Sequence, residues 1–570
     1  MDDVFKRFLN RTGLRGPASF ARRALRHPVT IRHEFEFLRD YWAFRRHFGC
    51  LAEGPRRRDT TNTVLVFCLT DWLAQVKTAM VLAKALQVSG YAPVILTRAR
   101  FQRALRYYHV FGFDALVFFD EYVEEDVPPE AVRTINELLA HPTTFRTIKR
   151  FRYQEIQVGQ QALVTLMRRL HQGTLDLGAP AITAQLKQLM LEGVRTVDAT
   201  NAMLDDVRPA LALANDAMYI GTGTIFEGTL ARGIPVIQWV GCQRDDALAL
   251  KRFDRRTLGV HPFSLSEATW EAVRGQPWTL RRERELTRDF HERYVEGRWS
   301  SYYNRPYGAV VGPDEVRRRL GLDPRKKTAV IFPHLLWDPT MFWGEDLFET
   351  YEEWLVETVR AACGNPNVNW VVRFHPANLW KLKLERLGNI PLERTVIRDK
   401  LGTLPGHIAC LEEGSDISTF ALFGVADACI TVRGTIGIEM AAFGIPVLTA
   451  GTGRYSGRGF TVDSSSRAEY LARLGAIQDM PRLTSEQTAL AKQYAHALFV
   501  RRPARFHTFQ VVFRSLAEAT HPFCNNVVIR ARSFQEFAEA DDLRAFAEWA
   551  TCSRASDFLA PEANGHEAAG

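Results

Sequence analysis

The sequence predicts an α/β protein of two similar domains, each a parallel sheet flanked by helices, that face one another across a cleft. Two series of short apolar runs alternate with helical patterns, which is the arrangement of a parallel sheet. A glycine-containing turn motif occurs once in each series with the same internal spacing. The length of 570 residues suits two to four domains at roughly 100–200 residues each.

The composition is that of a globular protein, with 46% hydrophobic and 24% charged residues. No run of 18 or more uncharged apolar residues occurs, so we predict no membrane-spanning segment. The first 30 residues lack the apolar core of a secretory signal. The eight cysteines are scattered and form no C-x-x-C pair, which favours buried thiols in a reducing compartment over a zinc site or disulfides. We therefore expect a cytoplasmic protein.

Residues 1–60 are predicted to form a basic helical arm. They hold 14 Lys/Arg and seven Asp/Glu, which supplies +7 of the net charge of +8. Arginines beside aromatic residues at helical spacing suit a helix that lies on an anionic membrane surface. A solvated helix that caps the first domain is the alternative. We expect no nucleic-acid partner, because the basic charge does not extend along the rest of the chain.

The first domain is predicted over residues 61–320. Its opening strand, 63–69 (TVLVFCL), is a continuous apolar run rich in branched residues, as expected for a strand buried on both faces. A helix is predicted at 74–88. Residues 128–212 carry apolar positions at spacings of three and four and are predicted as a helical insertion. Further strands are predicted at 93–97, 115–120, 217–221 and 234–240.

The second domain is predicted over residues 321–483, with a polar linker near its start. Residues 484–552 are predicted as C-terminal helices, and residues 553–570 as a flexible tail. The strands of the second domain are predicted at 328–334, 370–375, 395–398, 407–411, 428–432 and 446–450.

The repeated turn motif is GTI followed ten residues later by GIPV, at 223–236 and again at 434–447. A strand that ends in a glycine turn brings the N–H groups of the next helix to the carboxyl edge of the sheet, where they attract anions. Two ordinary strand–helix–strand turns need similar punctuation. The recurrence of seven identities nevertheless favours two Rossmann-like domains across a cleft.

Candidate ligand-binding residues follow the strands of the second domain. Arg373 and His375 end one strand, and Pro376 leaves His375 at the carboxyl edge, where open α/β sheets bind ligands. A histidine there can donate to a phosphate or stabilise a leaving group, or it can simply cap the strand. In residues 413–419, hydroxyl and amide groups suit phosphate oxygens, and Ser415 or Asp416 as a simple helix N-cap is the alternative.

The second copy of the turn motif adds four candidates. Arg433 offers a bidentate cation, Gly434 allows close approach, and Thr435 offers a hydroxyl at a helix start. Glu439, one helical turn later, has a carboxylate suited to the vicinal hydroxyls of a ribose, or it is a solvated helix residue. Arg454 lies in the glycine-rich stretch 451–460, which we interpret as a phosphate or sugar loop.

The first domain offers Asp71 directly after its first strand. This carboxylate is a candidate base for deprotonating an acceptor hydroxyl, and a helix N-cap is the competing interpretation. The sequence contains no G-x-x-x-x-G-K-[ST] phosphate loop and no D-x-D at a strand end. These absences argue against a P-loop enzyme and against metal-dependent sugar transferases of the D-x-D kind. The partial G-x-G at 221–223 lacks a ribose-reading acid, so a nicotinamide enzyme is not expected.

Three strings carry a resemblance to a known family: RFHPANLW (373–380), SDISTFALFG (415–424) and TVRGTIGIEMAAFGIPVLTAGTGRYSGRGFT (431–461). They resemble bacterial capsule and surface-polysaccharide biosynthesis proteins, which look like glycosyltransferases of the GT-B architecture with two facing Rossmann-like domains. The segment 335–355 is also similar. The resemblance covers residues 320–480 strongly and residues 60–320 loosely. Some members transfer Kdo from its cytidine monophosphate form.

The resemblance implies that the second domain binds a nucleotide-sugar donor and the first an acceptor. It places Arg373 and His375 near the donor phosphates, and Ser418 and Thr419 as a hydroxyl pair of the donor site. It assigns the glycine-turn motif to Arg433, Gly434, Thr435 and Glu439. The nucleotide sugar is then a substrate, and no cofactor or metal ion is expected.

The function predicted from the sequence is metal-independent glycosyl transfer to a capsular or other surface polysaccharide or its lipid-linked precursor. Arg373, His375, Arg433 and two helix N-termini would stabilise the charge on the departing phosphate. A nucleotide-sugar epimerase or polyol-phosphate transferase of the same fold is one alternative. A non-catalytic scaffold of a polysaccharide-assembly complex, held at the inner face of the cell membrane by the basic arm, is another.

Overall fold

The computed structural model describes residues 29–53, 62–140, 143–244, 246–298, 310–338, 343–378, 382, 391–513 and 525–562. Most of the predicted basic arm and the end of the predicted tail lie outside these residues. Within them, no helix combines the length and the apolar character needed to cross a bilayer.

The first lobe contains a seven-stranded sheet. Its strands are β1 (Thr63–Phe67), β2 (Ala92–Thr97), β3 (Leu116–Phe118), β4 (Leu211–Ala214), β5 (Val236–Gly241), β6 (Ala247–Phe253) and β13 (Pro503–Arg505). They are ordered β13-β6-β5-β4-β1-β2-β3. Strands β1 to β5 are parallel, whereas β6 is antiparallel to both of its neighbours. The prediction of a parallel sheet that opens with 63–69 is therefore confirmed.

The helices of residues 29–231 do not all pack on this sheet. They are α1 (Val29–Phe48), α2 (Leu73–Val88), α3 (Gln102–Val110), α4 (Pro129–Ala140), α5 (Phe145–Lys149), α6 (Val158–Leu170), α7 (Pro180–Val207) and α8 (Thr222–Ala231). Helices α4 to α7 lie in the segment predicted as a helical insertion, and α4 to α6 bury their apolar residues in a core that also contains Ala329 and Ile331 of the second domain. Helix α1 buries Phe37 and Phe44 in the apolar core of the lobe, so the described part of the arm caps the first domain.

The second lobe contains a six-stranded, fully parallel sheet. Its strands are β7 (Thr328–Ile331), β8 (Asn369–Arg373), β9 (Ile408–Leu411), β10 (Ala428–Thr431), β11 (Val447–Thr449) and β12 (Val462–Asp463). They are ordered β12-β11-β10-β7-β8-β9. Because every strand is parallel, the segments that follow β7, β8, β10 and β11 all meet at one carboxyl edge.

The helices of the second lobe include three that the sequence places in the first domain. The helices are α9 (Glu267–Arg274), α10 (Leu280–Tyr294), α11 (Pro313–Leu320), α12 (Tyr351–Cys363), α13 (Leu392–Leu401), α14 (Thr435–Ala442), α15 (Arg467–Gly475) and α16 (Ser485–His496). Trp270, Phe290 and Val316 share one apolar core with Val330 and Ile438 of the second lobe. The packing therefore differs from the predicted boundary at residue 320, because α9 to α11 bury their apolar faces on the second sheet.

The C-terminal segment returns to the first lobe. After β13 it forms β14 (Phe509–Phe513), β15 (Asn525–Ile529), α17 (Phe534–Ala538) and α18 (Asp541–Cys552). Strands β14 and β15 form an antiparallel pair, and Phe546 of α18 lies in the same core as β1 and α2. Residues 484–552 are thus not all helical, because β13 completes the first sheet by pairing with β6.

Part of the predicted flexible tail is docked. Asp557 is 3% exposed, and its Oδ1 accepts from Nζ of Lys251 at 2.6 Å and from Nη1 of Arg502 at 2.5 Å. The N–H of Arg252 donates to the carbonyl of Ser556 at 2.7 Å. The composition of this stretch suggested fraying, but a buried ion cluster holds it against β6.

Two predicted strands are absent from their positions. Residues 395–398 lie inside helix α13, where Val396 and Ile397 are buried. Residues 217–221 form the turn after β4, and the strand itself lies at 211–214. A run of two or three apolar residues does not separate a strand from the buried face of a helix, so tertiary packing decides.

The repeated turn motif is confirmed as a structural repeat. Strand β4 leads into α8 and then β5, and strand β10 leads into α14 and then β11. Gly233 and Gly444 both have φ +75° at the end of their helices, a left-handed conformation that glycine adopts without strain. Gly434 is the residue before its helix, whereas Gly223 lies within the first turn of α8. Relative to the motif, helix α8 therefore begins two residues earlier than helix α14 does.

The carboxyl-edge loops of the two sheets meet around Arg168 of α6. Its guanidinium lies 4.6 Å from the ring centroid of Trp337, which follows β7. A side-chain hydrogen bond joins Arg168 to Tyr219 in the turn after β4. Burial raises the pKa of Tyr219, and the nearby negative charges of Asp216 and Asp338 raise it further. The two lobes therefore present these edges toward each other, as the predicted cleft requires.

Candidate functional site

The candidate site is the carboxyl edge of the second sheet. Residues with cationic or imidazole side chains follow four of its strands: His334 after β7, Arg373 and His375 at the end of β8, Arg433 after β10 and Arg454 after β11. His334 lies close enough to Arg433, Arg454 and His375 for each of them to lower its pKa. The structure thus brings together residues that are up to 120 positions apart in the chain.

Arg373 carries hydrogen-bond donors that the described residues leave unused. Its side chain is 2% exposed, and Nη1 donates to the carbonyls of Leu411 and Glu412 at the end of β9. Among the described residues no acceptor reaches Nε or Nη2. Burial lowers the pKa of Arg373 to about 10, so the group stays cationic at neutral pH. A buried cation with two open donors is suited to an anionic ligand.

The carboxylate of Glu413 lies near Arg373 without replacing such a ligand. Its charge favours the cationic form of Arg373, yet Oε2 of Glu413 is buried and no described residue donates to it. Behind it, Glu393 is 1% exposed and accepts from Nδ2 of Asn378 at 2.8 Å. Burial raises the pKa of Glu393 to about 7. Among the described residues, no carboxylate is therefore hydrogen-bonded to the guanidinium of Arg373.

Arg433 is oriented differently from the prediction. Its guanidinium is 1% exposed and forms an ion pair with Asp346 and a hydrogen bond to the carbonyl of Trp343. Burial raises the pKa of Asp346, and the positive charge of Arg433 counteracts that effect. The bidentate cation predicted for a ligand is thus engaged by the segment that precedes α12, and Arg433 fixes that segment to the sheet edge.

Two histidines of this region, the buried His261 and the half-buried His334, are held in the neutral state. The N–H of Arg433 donates to Nε2 of His334 at 3.2 Å, and the His334 ring stacks on Tyr351 at 4.5 Å. The N–H of Phe263 donates to Nδ1 of His261 at 3.0 Å. Burial lowers the pKa of both histidines well below 6.5, and the nearby arginines lower it further. Neutral imidazoles add no charge to the site.

His375 sits where the sequence predicted it, at the carboxyl edge. The N–H of Ala377 donates to its Nδ1 at 3.1 Å. In the neutral ring this contact places the proton on Nε2. The donor role of His375 toward a ligand stays a prediction.

The three hydroxyl residues of the 413–419 segment are arranged by local contacts. Ser415 accepts from the N–H of Ile417 at 3.1 Å, so its oxygen closes a turn. Ser418 is 0% exposed and accepts from the N–H of Ala421 at 3.2 Å, as N-cap of a short 3₁₀ helix. Thr419 is half-buried at the first position of that helix. Ser418 is therefore the helix cap of this segment, whereas Ser415, for which the sequence offered capping as the alternative, closes a turn.

The glycine turn keeps its predicted position. Gly434 precedes α14, and Thr435 is half-buried at its first position. The carbonyl of Gly434 accepts from the hydroxyl of Tyr455 at 2.8 Å. The N-terminus of α14 therefore opens at the sheet edge, as the sequence predicted.

Glu439 differs from both interpretations of the sequence. It is 1% exposed, Nη1 of Arg293 donates to its Oε1 at 2.9 Å, and the hydroxyl of Tyr294 donates to its Oε2. Arg293 also donates to Asp289 at 2.8 Å. Both carboxylate oxygens are thus used inside the protein, so Glu439 joins α14 to α10 instead of facing a ribose.

Arg454 holds the glycine-rich loop against the turn. Its Nη1 donates to the carbonyl of Arg433 at 3.3 Å, and burial lowers its pKa. No acceptor among the described residues reaches its Nε. The hydroxyl of Tyr494 donates to the Arg454 carbonyl at 2.6 Å, and the N–H of Thr452 donates to the Glu345 carbonyl at 2.8 Å. The loop is well anchored, and Arg454 adds a half-buried cation near Arg433.

Asp71 lies at the corresponding edge of the first sheet. Its Oδ1 accepts from the N–H of Ala104 in the first turn of α3 at 3.1 Å. The residue before helix α2 is Trp72, not Asp71. Asp71 therefore caps a helix that is distant in sequence, and it remains half-buried beside the cleft.

Sequence reasoning missed four partners of the predicted residues. His334 ends the stretch TAVIFPH and had a detectable signal, since it follows a strand as His375 does. Asp346, Arg293 and Tyr294 had none. Their roles come from contacts across 87, 146 and 145 positions of the chain, which no local pattern encodes.

No protein-family model matches the chain, and no curated protein matches it. Among solved structures, the chain is similar to a beta Kdo 2,4 transferase, KpsC, of Thermosulfurimonas dismutans: identity 12%, TM-score 0.30, covering 50% of this chain and 79% of that one. It is similar to a UDP-GlcNAc 2-epimerase of Neisseria meningitidis bound to UDP-GlcNAc, with an identity of 11% and a TM-score of 0.25 over 77% of this chain and 96% of that one. It is also similar to the spinosyn rhamnosyltransferase SpnG, with an identity of 13% and a TM-score of 0.26 over 77% of this chain and 95% of that one.

Proposed function

We propose that this chain is a glycosyltransferase that moves a sugar from a nucleotide-activated donor to a surface polysaccharide or its lipid-linked precursor. The second lobe binds the donor, and the first lobe binds the acceptor. The observation that carries the proposal is Arg373, a buried guanidinium at a carboxyl edge with two donors that no described residue uses.

The charge of Arg373 selects the ligand class. An isolated buried cation is costly unless a counter-ion and hydrogen bonds compensate it. The planar fork of a guanidinium matches the oxygens of a phosphate or carboxylate. The unused Nε and Nη2 donors of Arg373 lie at the same sheet edge as His375, which follows two residues later. A diphosphate or monophosphate ester is the ligand that satisfies these donors together.

The same groups supply the chemistry of transfer. Negative charge grows on the phosphate as the bond to the sugar breaks, and preorganised donors stabilise that charge. Arg373, His375 and the N-terminus of α14 are assigned this role. Arg433 contributes through position, since it fixes the neighbouring segment. Because groups of the protein are assigned the stabilisation of this charge, we predict that transfer needs no metal ion.

Asp71 is the proposed base on the acceptor side. It is half-buried at the edge of the first sheet. Its Oδ1 accepts from the N–H of Ala104, which orients the carboxylate, and a carboxylate at this edge is a suitable base for the proton of an acceptor hydroxyl. The capping contact and the catalytic role are therefore compatible within one side chain.

The test is ligand-induced thermal stabilisation with CMP, UDP, GDP, ADP and dTDP. A ligand that binds only the native state raises the melting temperature. In Arg373→Met we expect this increase to be lost while the melting temperature without ligand is kept or raised, because the variant removes an uncompensated buried charge. Arg394→Met is the matched control: Arg394 is exposed and lies 3.2 Å from Glu412, so it changes charge nearby without entering the site.

Two outcomes would count against the proposal. An unchanged nucleotide effect in Arg373→Met removes Arg373 from the donor site. If that variant does not fold, Arg373→Lys decides, since it keeps the charge but loses the planar fork, and unchanged affinity in it is equally contrary. With the nucleotide identified, its sugar derivative is incubated with and without acceptor. Turnover of donor alone indicates an epimerase and contradicts glycosyl transfer.

A further inference from the structure

We propose that the solvent face of helix α1, with the adjoining start of α3, docks on an anionic lipid bilayer. This inference goes beyond the donor and acceptor sites and does not depend on them. It rests on residue types, exposure and ion pairs in the described part of the arm. The bilayer-facing positions of the described α1 side chains are Phe35, Arg39, Trp42, Ala43, Arg45, Arg46 and His47.

The exposed aromatic residues form one stripe. Phe35 is 67% exposed and Trp42 is 56% exposed, and their separation of seven residues places them on the same side of the helix. Arg39 and Arg46 have the same separation and interleave with them. Arg45 lies 5.4 Å from the Trp42 ring centroid. Large exposed aromatics flanked by arginines are typical of helices that lie in a membrane interface.

The acidic residues of α1 are turned away from this stripe. Asp40 accepts from Nζ of Lys77 at 2.8 Å and from the hydroxyl of Tyr107 at 2.5 Å. Glu34 accepts from Arg103 at 2.8 Å. Among the described side chains of α1, no exposed one is acidic. The fold thus separates the charged side chains of α1: the acidic ones face the lobe, and the basic ones face solvent.

The opposite face of α1 is firmly attached, so the stripe is not needed for folding. Phe37 and Phe44 are 1% and 4% exposed. Phe37 packs edge-on against Tyr107 at 6.1 Å, and Phe44 lies 5.6 Å from Phe111. A docking face that is presented by a rigid helix loses little conformational entropy on binding.

The neighbouring surface continues the same chemistry toward the cleft. Arg106 is exposed on α3 and lies 5.9 Å from the Tyr41 ring centroid, and Arg100 is exposed just before α3. Trp72 is 47% exposed next to Asp71. The Glu34–Arg103 contact sets the start of α1 beside the start of α3. Docking here brings the carboxyl edge of the first sheet near the lipid surface.

The experiment is co-sedimentation of the full-length protein with vesicles of phosphatidylcholine alone or mixed with phosphatidylglycerol. We expect binding only to the anionic vesicles, decreasing as salt increases. Each arginine near an anionic surface strengthens binding about fivefold. Arg39→Glu with Arg46→Glu should therefore weaken binding at least ~20-fold, and Phe35→Ser with Trp42→Ser should weaken it even at low salt.

The matched control is Leu280→Ser with Arg284→Glu on α10. Leu280 is 77% exposed and Arg284 is exposed, and both lie on the second lobe. This control should bind vesicles as the parent does, and all three variants should keep their melting temperature and any nucleotide effect. Equal vesicle binding by parent and stripe variants would overturn the proposal. So would stripe-dependent binding to a nucleic-acid duplex without binding to vesicles.

Discussion

Nη1 of Arg293 lies 2.9 Å from Oε1 of Glu439, and the two side chains are 2% and 1% exposed. This ion pair joins α10 to α14, the helix that begins at the glycine turn of the candidate site. Its desolvated charges stabilise the fold only as long as both are present. It therefore links the position of a helix N-terminus at the sheet edge to a helix more than 140 positions earlier.

We expect Arg293→Met to destabilise the protein by about 3–5 kcal/mol, because it leaves buried carboxylates without their cation. Glu439→Gln should also lower the melting temperature, and the folded fraction should keep its nucleotide effect in the thermal-shift assay. A Glu439→Gln protein of parental stability that no longer binds nucleotide would instead make Glu439 a ribose ligand. The double variant measures the coupling between the two positions.

Deletion of residues 553–570 should lower the melting temperature clearly, contrary to the expectation of a flexible tail. The deletion removes Asp557 and leaves Lys251 and Arg502 as buried cations without a carboxylate. Asp557→Asn tests the same cluster by a single atom change. Because the two buried cations lower the pKa of Asp557, its contribution is present above the ordinary value of 3.8 and is lost as the pH falls below it.

A deletion that removes residues 563–570 only is the matched control for that experiment. It leaves the contacts of Asp557 in place, so the parental melting temperature is expected. Equal stability of the long deletion and the parent would show that the ion cluster does not contribute to folding.

Glu393→Gln should stabilise the protein at alkaline pH. The folded-state pKa of about 7 lies above the ordinary value of 4.5, so the folded state binds the proton more tightly than the unfolded state. The parent therefore loses stability as the pH rises from about 4.5 to about 7, by up to about 3 kcal/mol. Glutamine keeps the acceptor for Asn378 and removes this loss.

Urea unfolding of parent and Glu393→Gln at pH 5 and at pH 8 measures the effect. The gain of the variant should be larger at the higher pH. A gain that does not depend on pH would mean that Glu393 is ionised in the folded protein. Glu486→Gln, a change at an exposed position in the first turn of α16, provides the comparison.

Asp71→Asn should keep the fold and abolish transfer. Asparagine retains Oδ1, which accepts from the N–H of Ala104, but an amide is no base. Asp71→Ala removes the cap as well and should cost about 1 kcal/mol of stability. For each variant, the turnover rate with acceptor is compared with the affinity for nucleotide. This comparison separates the loss of the base from the loss of the cap.

Parental transfer rates in Asp71→Asn would restrict Asp71 to its structural contact. Loss of nucleotide binding together with transfer would also argue against a base, because the base belongs to the acceptor lobe. Thr70→Ala, one residue earlier in the same loop, controls for changes in the loop itself.

The repeating architecture of this protein is readable from its amino-acid pattern alone. Apolar runs such as 63–69 are readable because a strand buried on both faces excludes polar residues. The GTI and GIPV strings are readable because a glycine with positive φ must follow each helix. Arg373 and His375 were placed correctly for the same reason: a residue directly after a buried parallel strand lies at the carboxyl edge.

Which charged side chains remain available to a ligand depends on contacts between distant parts of the chain. Arg373 and Arg433 look alike in the sequence, yet Asp346 engages one, while no described residue uses two donors of the other. Glu439 appeared suited to a sugar and is held by Arg293. Residues 553–562 appeared frayed and are docked through Asp557. The physical reason is common to all: ion pairs form between atoms that meet in space, and their free energy depends on burial, which local sequence does not specify.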